Sequence, residues 1–202
     1  MNQPNENANR SQPGKKSLAA TIGVAAAGIL LGVADQTGFT EKFEGMVLRG
    51  YLDPVGIPTK CAGDTYNVEV GKRYSLAECK ESLEQGLIKH AEPVLKCAPH
   101  LKDNPYFLAS AVDHNYHFGR FCGTPIDKTF KSGDYVEACK RFNTNADGSP
   151  AWVYVKDKPI RDKNGKIVSY TYKTLPGLIK RAAARRELCE KGIIHVAINS
   201  QK

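Results

Sequence analysis

The stretch Phe43-Glu-Gly-Met-Val-Leu-Arg-Gly-Tyr-Leu-Asp-Pro-Val-Gly-Ile-Pro-Thr-Lys-Cys-Ala-Gly-Asp-Thr65 decides how this chain is read. Asp53 follows Glu44 by nine residues, and Thr59 lies six further on. Thr40 can cap a helix running to about Leu48, with Phe39, Phe43, Met46 and Val47 on its apolar side. From Tyr51 to Val70 the pattern changes: Pro54, Gly56, Pro58 and Gly63 punctuate short apolar runs, as in a small antiparallel sheet with tight turns. Glu44 then falls at a helix end and Asp53 at a strand end, a junction where two carboxylates can face each other across a groove. Glycosidic bond cleavage uses such a pair, one carboxyl protonated to donate to the leaving oxygen and one ionised to handle water or developing positive charge. Spacing alone does not assign that chemistry, because a Glu and an Asp nine apart occur by chance in most proteins.

Outward from this stretch the pattern is mostly helical. Ser75-Leu-Ala-Glu78 is a capping box, opening a helix through roughly Lys96 that bends or ends near Pro93. Asn104-Pro105 starts a helix through about Phe118, with proline at the first helical position. Asp134-Tyr-Val-Glu137 opens another, ending near Phe142. Residues 151–173 read as a β-hairpin turning at Asn164-Gly165, after which Thr174 caps a last helix that Gly192 ends. The expected class is α+β, a small antiparallel sheet lobe in front of a helical C-terminal lobe.

Composition narrows the partners. Lys plus Arg number 29 against 21 Asp plus Glu, a net charge of +8 in 202 residues, which favours an anionic partner: nucleic acid, a membrane surface or cell wall. The six cysteines, Cys61, Cys79, Cys97, Cys122, Cys139 and Cys189, contain no C-x-x-C pair and are disulfide candidates in an oxidising compartment. About 15 pairings are possible, and the sequence selects none. His114, His117 and Cys122 lack a fourth partner for a metal site, so no metal and no cofactor are expected.

The N-terminus points to export. Residues 1–16 are polar and carry Arg10, Lys15 and Lys16; residues 17–34 are uncharged, rich in Ala and Gly, and closed by Asp35. Basic residues before the run and none just after place the N-terminus inside and the remainder across the membrane. The run is short and weakly apolar for a permanent span, which suits a cleaved signal (Gly32-Val33-Ala34) or a marginal anchor that can later leave the bilayer. Gln36-Thr37-Gly38 is a hinge, dividing residues 1–38 from a domain over 39–202.

Glu44-Gly45, Tyr51-x-Asp53, Gly56-x-x-Thr59 and Gly63-x-Thr65 resemble, in order and spacing, the active-site stretch of the T4-type phage lysozymes, glycoside hydrolase family 24. The similarity continues through Leu76–Cys79, Cys97–His100, Asn115 to Cys122, Gly133–Cys139 and Leu175 to Cys189, and so covers about residues 39–192. The resemblance implies a lysozyme-like fold and a muramidase cutting the β-1,4 bond between N-acetylmuramic acid and N-acetylglucosamine in peptidoglycan. It implies Glu44 as general acid, with Asp53 and Thr59 positioning water, and contacts to substrate from Tyr51, Gly63 and Asn115. The family usually inverts, which expects carboxyls roughly 6.5–9.5 Å apart. Glu41, one turn before Glu44, reads as solvated.

The chain departs from the family at three places. Lys60 to Asp64 stand where the family often has Ile-Gly-x-Gly-His, and Tyr116 and His117 replace a Val and a Gly. Asn143 to Lys173 is longer than the usual link, either a surface hairpin or an arm whose Trp152, Tyr154, Tyr170 and Tyr172 stack on wall sugars. Lys180, Arg181, Arg185 and Arg186 read as a solvated basic face.

With its weakly apolar front segment, the whole resembles the signal-arrest-release endolysins. This implies export, tethering to the inner membrane of a Gram-negative host through residues 17–34, and release into the periplasm. The implied partners are peptidoglycan, that membrane and the export machinery, with no nucleic acid, for a monomer. A lysozyme-fold module that binds peptidoglycan without cutting it is the alternative.

Overall fold

The computed structural model describes residues 45–53 and 56–200. Residues 1–44, with the candidate anchor, the Thr40 helix start, Glu41 and Glu44, lie outside the described residues.

The sheet lobe begins with strand β1 (Val47–Leu52), paired antiparallel with β2 (Pro58–Cys61) in the register Tyr51 to Thr59 and Leu52 to Pro58. The strand thus starts earlier than the pattern suggested: Val47 and Leu48, expected at a helix end, are extended and each 41% exposed. Val47 pairs with Cys61 and the Leu48 carbonyl accepts from Tyr74 N–H, so the two residues extend the ladder instead. Residues 69–74 line the other side of β1. Gly50 N–H donates to Lys72 O at 2.9 Å, Gly71 N–H to Gly50 O at 2.8 Å, and Tyr74 N–H to Leu48 O at 3.0 Å. Gly50 is obligatory here, because a Cβ would sit 2.1 Å from the Glu69 carbonyl oxygen.

Helix α1 (Leu76–Cys97) opens with the expected capping box: Ser75 Oγ accepts from Glu78 N–H and Glu78 accepts from Ser75 N–H. Its buried side chains, Cys79, Leu83, Leu87, Ala91 and Val94, recur every three or four residues along one stripe. Pro93 does not end it; the helix continues to Cys97. A 3₁₀ turn (Pro99–Asp103) leads to α2 (Pro105–Phe118), capped by Asn104, whose Oδ1 accepts from Tyr106 and Phe107 N–H. Every residue of α2 from Phe107 to Asn115 is buried, which makes it the axis of the domain, packed against α1 and α5.

Two short helices follow, α3 (Pro125–Lys131) and α4 (Tyr135–Lys140). Helix α3 was not among the elements the sequence pattern predicts, although Thr124-Pro125 at its start combines a cap with a first-position proline. Then comes the hairpin, β3 (Tyr154–Arg161) with β4 (Ile167–Thr174), and finally α5 (Pro176–Asn199). Leu175 occupies the N-cap position in place of Thr174, with no side-chain cap. Gly192 does not terminate α5. It lies where a Cβ would come within 2.4 Å of the Phe107 ring, and its carbonyl accepts from Asn104 Nδ2 at 2.8 Å. The glycine serves close helix approach rather than a helix end.

Three disulfides fix the connections: Cys61–Cys79 joins β2 to α1, Cys97–Cys122 joins the end of α1 to the loop after α2, and Cys139–Cys189 joins α4 to α5. All six cysteines are thereby used.

Candidate functional site

Tyr51 and Thr59 face each other across the β1–β2 ladder, and directly opposed residues share a face. Asp53, two residues past Tyr51 in a pleat of period two, continues that face just beyond the strand. The β1–β2 turn explains why Asp53 stands there. Its N–H donates to Ile57 O at 2.9 Å, its carbonyl accepts from Gly56 N–H at 2.9 Å, and its Oδ1 accepts from Ile57 N–H at 2.8 Å. The last bond orients the carboxylate. Gly56, at φ 85°, makes the tight reversal possible.

Thr59 is only 4% exposed, and its hydroxyl donates to Ile57 O at 3.0 Å. With its proton committed, the oxygen presents lone pairs to whatever lies on that face. Ile57 therefore organises both groups, its N–H holding the carboxylate and its carbonyl the hydroxyl. Tyr51 and Asp53 are half-buried.

The following loop is tied to the helical lobe at several points. Gly63 is exposed at φ 85°. Lys60 and Asp64 exchange backbone hydrogen bonds at 2.8 and 2.9 Å and form an ion pair at 3.4 Å. Ser82 Oγ on α1 donates to Asp64 Oδ2, and Tyr116 Oη on α2 donates to Ala62 O at 2.8 Å. Sequence reasoning missed Ser82 and Tyr116. Nothing in the sequence marks Ser82, whereas the departure from the family's Val at Tyr116 was a usable signal, since a phenol in a helical core needs an acceptor. Asn115, expected at the substrate, is buried at the α1–α2 contact. Its Nδ2 donates to His90 O at 3.1 Å and stands 3.2 Å from His90 Nδ1. The His90 imidazole is held below its ordinary pKa by partial burial, with Lys89 adding to the effect.

Within α2, Asp113 is fully buried between Arg181 and Arg185, with contacts of 2.7 Å to Arg181 Nη2 and 2.7 Å to Arg185 Nε. Burial alone would raise the Asp113 carboxyl, but Arg185 and Arg181 outweigh it and hold the pKa at about 2. This corrects the solvated-face reading of the last helix: Arg181 and Arg185 are 3% and 1% exposed, while Lys180 remains outside and Arg186 pairs with Glu190 at 2.7 Å. Arg181 and Arg185, four apart, share a helix face, and an Asp inside the apolar run of α2 demanded such a partner.

His114 packs among Phe118, Phe121, Phe142 and Trp152, and among the described residues its two ring nitrogens have no hydrogen-bond partner. Cys122 is in a disulfide, and among the described residues no group of three or more His, Cys, Asp or Glu is placed to hold a metal. Trp152 sits on His114 at 4.4 Å and donates its indole N–H to Arg141 O at 3.0 Å, so it belongs to the core rather than to an exposed arm.

The model of the phage lysozyme family matches residues 41–185, which spans Glu44, the β1–β2 turn and the buried ion triad. The chain belongs to the phage lysozyme family. Membership makes it a glycoside hydrolase of phage endolysin type. Among curated relatives of this phage lysozyme, the SAR-endolysin of Enterobacteria phage P21 is 27% identical over 180 residues, covering 87% of this chain and 94% of that protein. The SAR-endolysin of Enterobacteria phage PA-2 is 26% identical over the same length and the same shares. Among solved structures, the active form of P1 phage endolysin Lyz aligns with a TM-score of 0.56 at 19% identity, covering 85% of this chain and 94% of that one. The muramidase domain of SpmX from Asticaccaulis excentricus aligns at 0.58 and 17% identity, covering 75% and 92%. These two likenesses establish the lysozyme-like fold.

Proposed function

We propose that this phage lysozyme is a muramidase that hydrolyses the β-1,4 bond between N-acetylmuramic acid and N-acetylglucosamine in peptidoglycan, for host lysis. The observation that carries the reading is the shared face of Asp53 and Thr59, both oriented by Ile57, within a family match that begins ahead of Glu44. Glu44 serves as the general acid that protonates the leaving oxygen. Asp53 accepts a proton from an attacking water, and Thr59 accepts a second hydrogen bond from that water and fixes its approach. Tyr51, Gly63 and Asn115 line or support the sugar subsite. Residues 17–34 carry the domain through the export machinery as a releasable anchor in the inner membrane, as the name SAR-endolysin of the relatives suggests.

Mass spectrometry of peptidoglycan digested by the wild type and by Glu44→Gln tests the chemistry. Fragments with a reducing muramic acid end, absent from the variant's digest, are expected; anhydro ends mean a lytic transglycosylase and sink the hydrolytic assignment. Fractionation of expressing cells tests the anchor: the protein is expected in the inner membrane first and in the periplasm, at unchanged mass, after depolarisation.

A further inference from the structure

The β3–β4 ribbon stands apart from the domain it belongs to. Its strands pair with each other, and its foot is fixed by buried Val153, whose carbonyl accepts from Leu175 N–H at 3.2 Å. An isolated two-stranded ribbon is marginal by itself. This one has a well-built tip, where Asp162 Oδ1 accepts from Asn164 and Lys166 N–H at 2.9 and 3.0 Å and Gly165 takes φ 79°.

The two faces differ. Tyr154 opposes Thr174 and Lys156 opposes Tyr172, so by the pleat Tyr154, Lys156, Tyr170 and Tyr172 share one face. Lys156 Nζ lies over the Tyr170 ring at 4.5 Å, which leaves Tyr154 and Tyr172, 48% and 60% exposed, as diagonal neighbours with open rings. On the other face Lys173 and Asp157 neutralise each other at 2.8 Å. From Tyr154 to Thr174 there are six Lys or Arg and two Asp. Exposed aromatic rings beside the Lys156 ammonium, on a ribbon whose residues are mostly exposed, mark a binding surface.

Building on the muramidase reading, we infer that the tyrosine face of this hairpin is a second contact for the glycan strand of peptidoglycan, outside the cleft. The CH faces of pyranose rings stack on Tyr154 and Tyr172, and Lys156 meets the free carboxylates of the stem peptides. A bilayer fits less well. A membrane-dipping ribbon carries its aromatics at the tip, whereas here the tip alternates Ile160, Ile167 and Val168 with Arg161, Lys163 and Lys166, and the tyrosines lie toward the foot.

The test uses full-length protein carrying Glu44→Gln, sedimented with purified Gram-negative sacculi, beside the same protein carrying Tyr154→Ala and Tyr172→Ala or the two tyrosines changed to Phe. The Ala pair is expected to bind sacculi ~10-fold or more weakly, the loss typical of removing aromatic anchors, and the Phe pair to bind as the parent does. With Glu44 restored, the Ala pair is expected to cut a soluble glycan of a few sugars at the parental rate while clearing sacculi more slowly. Equal sacculus binding by the Ala pair overturns the inference. So does a loss confined to phosphatidylglycerol vesicles, which would assign the face to a membrane. Failure of the muramidase reading would register separately, as sacculi left undigested by the parent enzyme.

Discussion

Along α2 nine consecutive residues, Phe107 to Asn115, are buried, whereas along β1 Gly50 alone is. The helical lobe holds itself together by side-chain packing, with Phe107, Phe121, Phe130 and Phe142 around a closed ion triad. In the sheet lobe the buried apolar cluster is Cys61, Tyr74 and Cys79, and shape comes from backbone hydrogen bonds and a few ties to its neighbour. The lobe that presents Asp53 and Thr59 is therefore the lobe least able to stabilise itself. Its geometry depends on the helical lobe through Cys61–Cys79, Ser82 with Asp64, and Tyr116 with Ala62.

The contrast is broken most severely at the triad. Asp113→Ala leaves two buried guanidinium groups without their carboxylate and is expected to cost about 3–5 kcal/mol in urea unfolding, with both lobes lost together. Replacing Cys61 and Cys79 by Ala releases a loop with a sequence separation of 18. That is expected to cost roughly 3 kcal/mol, and activity should disappear on warming while far-UV helical signal persists.

Acid titration separates two contributions in the helical lobe. Asp113 has its pKa lowered from 3.8 to about 2, so its contribution is complete above pH 4 and is lost as pH falls from there through the folded value. The loss is expected to be on the order of 2 kcal/mol. His114 acts at higher pH. Burial, with help from Arg185, keeps its imidazole well below the ordinary 6.5, so the unfolded chain takes up a proton that the native state refuses. Stability should therefore decline below pH 6.5 by up to ~1.4 kcal/mol per pH unit. His114→Phe should flatten this slope, since the ring forfeits no hydrogen bond to a described residue. The smallest effect on stability is expected at Tyr116→Phe, about 1 kcal/mol, with a disproportionate fall in kcat because the lost bond anchors the loop after Thr59.

What was legible in the sequence follows the same division. The capping box at Ser75, the proline start at Pro105 and the turn at Asn164-Gly165 are local signals, and the elements they announced are present. Val47 and Leu48 misled because an apolar pair looks alike in a helix and in an exposed strand, and Gly192 because a glycine near a helix end resembles a stop until the Phe107 ring is known to lie against it. Arg181 and Arg185 seemed solvated because their partner lies 68 and 72 residues earlier. At the candidate site, spacing matched to a family singled out Asp53, Thr59 and Tyr51 as candidates, and the structure sets Tyr51 opposite Thr59 with Asp53 just beyond the strand. The bonds from Ile57, Ser82 and Tyr116 could not be read there, since they depend on backbone atoms and on the meeting of distant segments.

The disulfide between Cys139 and Cys189 encloses the whole hairpin. Lys163 and Lys166, at the exposed tip, are natural targets for a trypsin-like protease. A molecule nicked there remains one covalent body, running as a single band without reductant and as two fragments with it. Both strand feet stay anchored, so the rest of the enzyme survives the cut.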